Sequence, residues 1–363
     1  MFVVLVRNEL EKTWRSRWVV FAVLAGLFLL IAVGLYSFYV YHDQRWSPPS
    51  PVAWQSQLQS DIASNQSTLD NLQTVRQQAE SRGRVLINGR SLNDADAQIR
   101  QAIAADRYLL DNNIAPLSAF SITRAALFAL GGIIMFVLIR IFGWLASEQI
   151  AGERSDRTIS ILLSRPPSRD QFLLAKAIAS FLTSLAVVVV TVLLVYAIVA
   201  FLMGSMGPVT GQVGVAIDGG KPLNPENLVI MPIPVFVLMC VGAAMLAVLC
   251  VQGMSLLISV VTGRWAAIGI TLAVLFGASL VSSVAAAIIS LISGSVDSAH
   301  FLNYAFFNVL TPVGSIAPVF GNGATGVGKG MHEFGSEVAT LAVWTVGFFA
   351  AAWFFFHHRQ EAG

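Results

Sequence analysis

Gly323-Ala-Thr-Gly-Val-Gly328-Lys329-Gly330 nearly spells the loop that cradles a nucleotide phosphate. A working loop of that kind needs Ser or Thr after the lysine to hold magnesium, a strand before it and a helix after it. Here Gly330 stands in the Ser/Thr place and no strand pattern precedes it, so a flexible glycine-rich loop is the better reading. His42, His300, His332, His357 and His358 show no metal-ligand spacing, and no Ser-His-Asp or Cys-His arrangement can be argued from order alone. If their apolar run is helical, Cys240 and Cys250 are about 15 Å apart along it, beyond disulfide reach. What remains is a compact charged run from Ser147 to Lys176. Glu148, Glu153 and Asp156 alternate with Arg154 and Arg157, while Ile159, Leu162 and Leu163 form an apolar strip at helical spacing. Pro166 and Pro167 break that helix, and Ser168 can cap the next one. Charges beside an apolar ridge suit docking into a partner's groove, not bond-breaking.

The elements that position this run follow from composition. Of 363 residues, 56% are hydrophobic and 12% charged, where a soluble protein carries about a quarter charged residues. Mean hydropathy is +0.71. A soluble enzyme, a disordered chain and a secreted disulfide scaffold are excluded. The net charge of +2 is too even to suggest nucleic-acid binding. Six runs are long enough to cross a bilayer, which takes about 20 residues. They are Trp18–Tyr41, Ala119–Ala146, Phe172–Met203, Val229–Val261, Trp265–Ser293 and Ser336–His357. An open sheet cannot satisfy its backbone in lipid, so all should be helices. The expected fold is an all-α polytopic membrane protein with six transmembrane helices.

Lys and Arg in the short loops set the orientation. Arg7, Lys12, Arg15 and Arg17 precede the first span; Arg154, Arg157, Arg165 and Arg169 follow the second; Arg264 follows the fourth and Arg359 the last. Both termini are therefore expected in the cytoplasm, with 147–171 a cytoplasmic loop and 42–118, 204–228 and 294–335 outside. The first apolar run is too long for a cleavable signal and lacks a small-residue cleavage site. Residues 1–17 read as an amphipathic helix, with Val3, Val6, Leu10 and Trp14 on one face, able to lie on the membrane surface. In 42–118, Leu58, Ile62, Asn65, Leu69, Leu72, Arg76 and Ala79 follow a broken heptad. Asn88-Gly89 is a turn signal, and Ser91 to Asp94 resembles a capping box opening a second helix. An external helical hairpin results, serving as a packing arm or as a gate or receptor. Segment 294–335 reads as a re-entrant helix or a plain loop.

The span interiors hold no Asp or Glu, which argues against a proton- or sodium-driven carrier. Arg140 either snorkels or pairs with a neighbouring helix, and Gln252 is expected to hydrogen-bond between helices. A gradient-driven carrier and a non-transport scaffold or sensor using the hairpin remain alternatives.

The charged run resembles the loop of the ABC-2-type exporter permeases, which reads roughly Glu, Gly-Glu-Arg, Gly-Thr-Leu, Leu-Leu-Ser, Pro, Ser-Arg and a later Gly-Lys. Glu148, Gly152-Glu153-Arg154, Thr158, Leu162-Leu163-Ser164, Pro166, Ser168-Arg169 and Lys176 fall in those places. Arg157, Ile159 and Ala175 depart from the usual Gly, Leu and Gly. The opening Arg7-Asn8-Glu9-Leu10 with Arg15-Ser16-Arg17, and Leu110 to Pro116, extend the likeness over most of the chain. The resemblance implies a bacterial inner-membrane subunit without an ATPase or cofactor of its own. ATP and Mg would be held by a separate cytoplasmic ATP-binding subunit. A second permease chain, identical or different, would complete the substrate path among membrane lipids. Coupling to the ATPase would fall to Glu148, Gly152, Glu153, Arg154, Arg157, Thr158, Leu162, Leu163, Arg165, Pro166 and Arg169. Within this set Glu153 and Arg154 would supply the electrostatic part and Leu162 and Leu163 the apolar part. The turn Thr262-Gly263-Arg264 would be a second, smaller contact, and residues 1–17 the connecting helix. Spans lined by Ala, Val, Leu, Phe and Ser favour an amphipathic or lipid-like substrate, such as a peptide antibiotic or drug.

Overall fold

The computed structural model describes residues 2–15, 26, 53–80, 86–87, 90–114, 135–156, 168–202, 212–217, 227–277 and 331–358. In chain order the elements are α1 (Phe2–Arg15), α2 (Ala53–Glu80), β1 (Leu86–Ile87), β2 (Arg90–Ser91), α3 (Leu92–Asp111) and α4 (Met135–Ser155). They continue with α5 (Arg169–Leu202), β3 (Gln212–Ala216), β4 (Leu228–Pro232), α6 (Ile233–Val261), α7 (Arg264–Gly277) and α8 (Met331–His358). Among the described residues, three helices are long and apolar enough to span a membrane: Arg169–Ile198, Ile233–Val261 and Met331–His358. The expected span Trp18–Tyr41 lies outside the described residues except for Gly26, as do residues 119–134, 278–293 and the external segment up to 330.

Helix α6 is the centre. It is apolar on every side and buries residues along its length from Ile233 to Val260, with Val235 and Leu238 left exposed near its start. Helices α4 and α8 pack along it, and α5 joins them. Their outer surfaces remain apolar: Leu182, Val190 and Leu193 on α5 and Val343, Val346 and Phe355 on α8 are exposed. Apolar surface on this scale needs lipid or another protein against it. Helix α5 has 34 residues, about 51 Å of rise, so it outreaches a hydrocarbon core of about 30 Å. Its start is a capping box: the Ser168 hydroxyl accepts the Gln171 N–H at 3.2 Å, and Gln171 Oε1 accepts the Ser168 N–H at 3.4 Å.

Two boundaries differ from the sequence expectation. The fourth span starts at Ile233, not Val229, because 228–232 is strand β4, paired antiparallel with β3 from Gln212↔Pro232 to Ala216↔Leu228. Pro232 and Pro234 explain the switch: proline interrupts a ladder but is tolerated in a helix's first turn, where N–H groups have no intrahelical partner. The ribbon hands over to α8 through the His332 N–H, which donates to the Ile217 carbonyl at 2.8 Å. The second difference is that α4 runs through Ser155, so the first third of the expected 147–171 loop is helix.

Arg140 pairs with a neighbouring helix. Its Nη2 donates to the Leu275 carbonyl at 3.0 Å, and the guanidinium lies 4.3 Å from the Phe276 ring centroid.

Helices α2 and α3 run antiparallel, with Trp54 and Leu58 of one clustered with Leu109 near the end of the other and Ile114 just beyond it. Strands β1 and β2 bracket Asn88-Gly89 in register Leu86↔Ser91 and Ile87↔Arg90. From 59 to 74 only Ile62, Asn65, Leu69 and Leu72 are half-buried, the others being exposed. Asp106 is buried on α3 beside Ile103 and Leu109. Burial pushes its carboxyl up from 3.8 to about 6, with the Asp61 charge adding to the shift. The folded pair thus keeps a proton that the unfolded chain releases between those values. Its stability falls as pH rises from about 4 to 6 and levels off above. Asp106→Asn is expected to flatten that profile and to stabilise the pair at pH 7 by about 1–2 kcal/mol. Amide exchange over 53–111, corrected for intrinsic rates, checks this; equal protection at pH 5 and 7 in the unmutated protein would contradict it.

Candidate functional site

One end of the bundle gathers most of its charge. Helix α4 ends there, α5 begins there, and the turn between α6 and α7 lies beside them. Lys176, the only base in the first eight residues of α5 after Arg169, is 2% exposed. A lone ammonium at that depth needs compensation. Its Nζ donates to Glu153 Oε1 and to Glu9 Oε2, each at 2.9 Å, and lies 4.9 Å from the Phe172 ring centroid. Glu153 is itself 5% exposed and accepts a second ammonium, that of Lys12 on α1. Among the described residues, two carboxylates and two ammonium groups thus bond into one cluster from three separate segments.

Next along α4, Arg154 turns to the end of α6. Its Nη2 donates to the Val260 carbonyl at 3.1 Å and its Nη1 to the Thr262 carbonyl at 3.4 Å. A guanidinium there satisfies carbonyls that have no helical partner and meets the negative end of the helix dipole. The N–H groups of Ile150 and Ala151 reach the Ser259 hydroxyl at 3.1 and 2.8 Å, which locks α4 to α6. Arg264 extends the junction, 3.5 Å from Glu148 and 3.8 Å from Asp156. At the start of α5, Asp170 accepts the Trp353 Nε1–H of α8 at 2.9 Å, with His357 at 3.5 Å.

Of the residues expected to contact a partner, Glu148, Gly152, Glu153, Arg154, Arg169 and Arg264 converge here. Arg157, Thr158, Leu162, Leu163, Arg165 and Pro166 lie outside the described residues. Glu153 and Arg154 both have partners within the chain. A Cβ at Gly152 would meet nothing within 4 Å. Sequence reasoning named Glu9 and Lys12 but not their place in this cluster, and it missed Ser259 and Asp170. A lysine within the apolar Phe172-Leu-Leu-Ala-Lys176-Ala-Ile was the available signal that buried acids must be near. Among the described residues no group of His, Cys, Asp and Glu could hold a metal ion.

A bundle of lipid-length apolar helices, with most of its charges at one end, is a multi-pass membrane protein. The sequence matches the family described as ABC-2 family transporter protein over residues 3–360, and the chain belongs to it. It is therefore a membrane transport component of the ABC-2 type. No curated protein matches the chain.

Proposed function

We propose that this chain is the transmembrane permease subunit of an ABC exporter, driven by a separate cytoplasmic ATP-binding subunit that holds ATP and Mg. One observation carries the reading beyond family membership. The two segments that would face an ATPase, 156–168 and 262–264, are joined at their described ends, with Arg154 bonded to Thr262 and Arg264 paired with Glu148 and Asp156. With Glu153 of α4 also paired to Lys176 of α5, a partner pressing on either segment moves the ends of α4, α5 and α6 together. In this reading Leu162 and Leu163 dock the apolar ridge, and Arg157, Arg165 and Arg169 supply the charge that faces the partner. Glu153 and Arg154 hold the base that carries them. Both termini are cytoplasmic, the α2–α3 pair and the β-ribbon are outside, and the membrane is the bacterial inner membrane. Two permease chains, alike or different, enclose the path of an amphipathic or lipid-like substrate. ATP binding closes the ATPases, the loops are pushed, and the two halves rock.

The test is purification of the tagged full chain from native membranes in mild detergent, with mass spectrometry and an ATPase assay. A stoichiometric ATP-binding subunit with turnover is the expected result. A folded, intact preparation without one would overturn the reading in favour of a carrier or scaffold.

A further inference from the structure

Helix α1 meets α5 through a half-buried face, Phe2, Leu5, Val6, Glu9 and Leu10, while Val3, Val4, Arg7, Asn8, Glu11 and Lys12 are exposed. Apolar contacts between helices are weakly directional and allow sliding. A lysine bonded at once to carboxylates from two other segments does not. Buried ionic groups are best attested as devices that fix register. The cluster at Lys176 has this form. Its inner pair, Glu153 and Lys176, comes from the two helices that flank the loop 156–168. Its outer members, Glu9 and Lys12, lie three residues apart on α1, one facing each inner charge.

We propose that Glu9, Lys12, Glu153 and Lys176 are a clasp that makes the N-terminal helix and both ends of the loop a single moving body, so that a push on the loop reaches α1 as well as the spans. This rests on the permease reading for what pushes. The four are positioning residues, and the alternating arrangement of charge makes their roles separable. Exchanging the inner pair, Glu153→Lys with Lys176→Glu, keeps an inner ion pair but sets like charges against Lys12 and Glu9. Exchanging all four, with Glu9→Lys and Lys12→Glu added, restores the three ion pairs among them.

The experiment uses the full chain assembled with its ATPase subunit. It reads ATPase turnover of the complex relative to the free ATPase subunit, with kcat and KM for ATP separated, and amide exchange over residues 2–15. The inner exchange alone is expected to lower the turnover ratio about fivefold or more, the scale of a coupling energy between sites, through kcat and with faster exchange in α1. The fourfold exchange is expected to recover both. Lys12→Glu alone is expected to speed α1 exchange; its side chain is 59% exposed, so folding tolerates the change. Full recovery by the inner exchange alone would exclude α1 from the device. Unchanged α1 exchange in Lys12→Glu would overturn the clasp outright. Failure to find any ATPase subunit overturns the permease reading instead, and the exchange data still judge the clasp.

Discussion

Glu153→Gln is expected to cost the folded chain about 3–5 kcal/mol, and the double change Glu153→Leu with Lys176→Met to recover most of that loss. The single change leaves Lys176, at 2% exposure, with only the Glu9 carboxylate, which is itself 14% exposed. An ammonium held out of water with half its compensation gone cannot relax to solvent without opening the α1–α5 contact. Lys176→Met is milder, because the stranded Glu153 keeps Lys12, whose side chain is 59% exposed. The double change removes both groups of the buried pair: Leu and Met fill the space, Lys12 turns to water, and the partly exposed Glu9 carboxylate loses Lys176 as a partner. Denaturant or thermal unfolding of the detergent-solubilised chain measures the three. A Glu153→Gln loss under about 1 kcal/mol would mean that water reaches the cluster. The double variant also separates stability from coupling. It should fold, yet leave α1 untied, and turnover of the assembled complex should remain low.

Apolar runs are legible in the sequence because a soluble helix keeps one polar face and so cannot be hydrophobic over a lipid's thickness. Helices α5, α6 and α8 fall on the third, fourth and sixth of these runs. The start of α5 is legible because a cap is local: Ser168 and Gln171 are three residues apart. A helix in the charged run is legible too, but not that α4 runs unbroken from its span through Ser155, because the charges there imitate a loop. What ties that stretch into the bundle is Ser259, more than a hundred residues away, which accepts from the Ile150 and Ala151 N–H groups. The β-ribbon escapes sequence reading for the same reason. Gln212-Val-Gly-Val-Ala is too short and too rich in small residues to declare itself, and its partner strand begins only at Leu228. The candidate site divides likewise. Glu153, Arg154 and Arg264 stand out by type and spacing, but the use of Glu153 depends on Lys12, 141 positions away. A charge run announces that electrostatics matters at a place; which charges face inward is decided by helices that meet only in the folded chain.

Gly253→Val is expected to prise α8 from α6 and to be among the most damaging single changes in the protein. Even Gly253→Ala should destabilise by about 1–3 kcal/mol. A Cβ at this position would lie 3.0 and 3.1 Å from Cδ2 and Cε2 of Phe349 and 3.2 Å from Phe348 Cβ. An aromatic ring is rigid, and a Cβ can retreat only if its backbone does, so relief requires α8 to move. Gly143 shows that distance alone does not decide. Its Cβ would meet Leu275 Cδ1 at 2.7 Å, a closer approach, but that atom is the end of a side chain that can rotate. Val251 Cγ1 at 3.0 Å is the stiffer obstacle there. Gly143→Ala should therefore cost less than Gly253→Ala and be partly rescued by Leu275→Ala. The helix backbone works in the opposite sense, since Gly→Ala in an unobstructed helix gains about 0.5–1 kcal/mol. Gly347 on α8, with nothing within 4 Å of a Cβ, supplies that control. The measurement is unfolding of Gly253→Ala, Gly347→Ala and Gly253→Ala with Phe349→Leu. Opposite signs for the first two are expected, with a favourable coupling of about 1 kcal/mol in the double variant as the smaller side chain makes room. If Gly253→Ala proved as benign as Gly347→Ala, the close seam between α6 and α8 would have to open without cost, and α8 would be a helix lying against the bundle instead of one built into it.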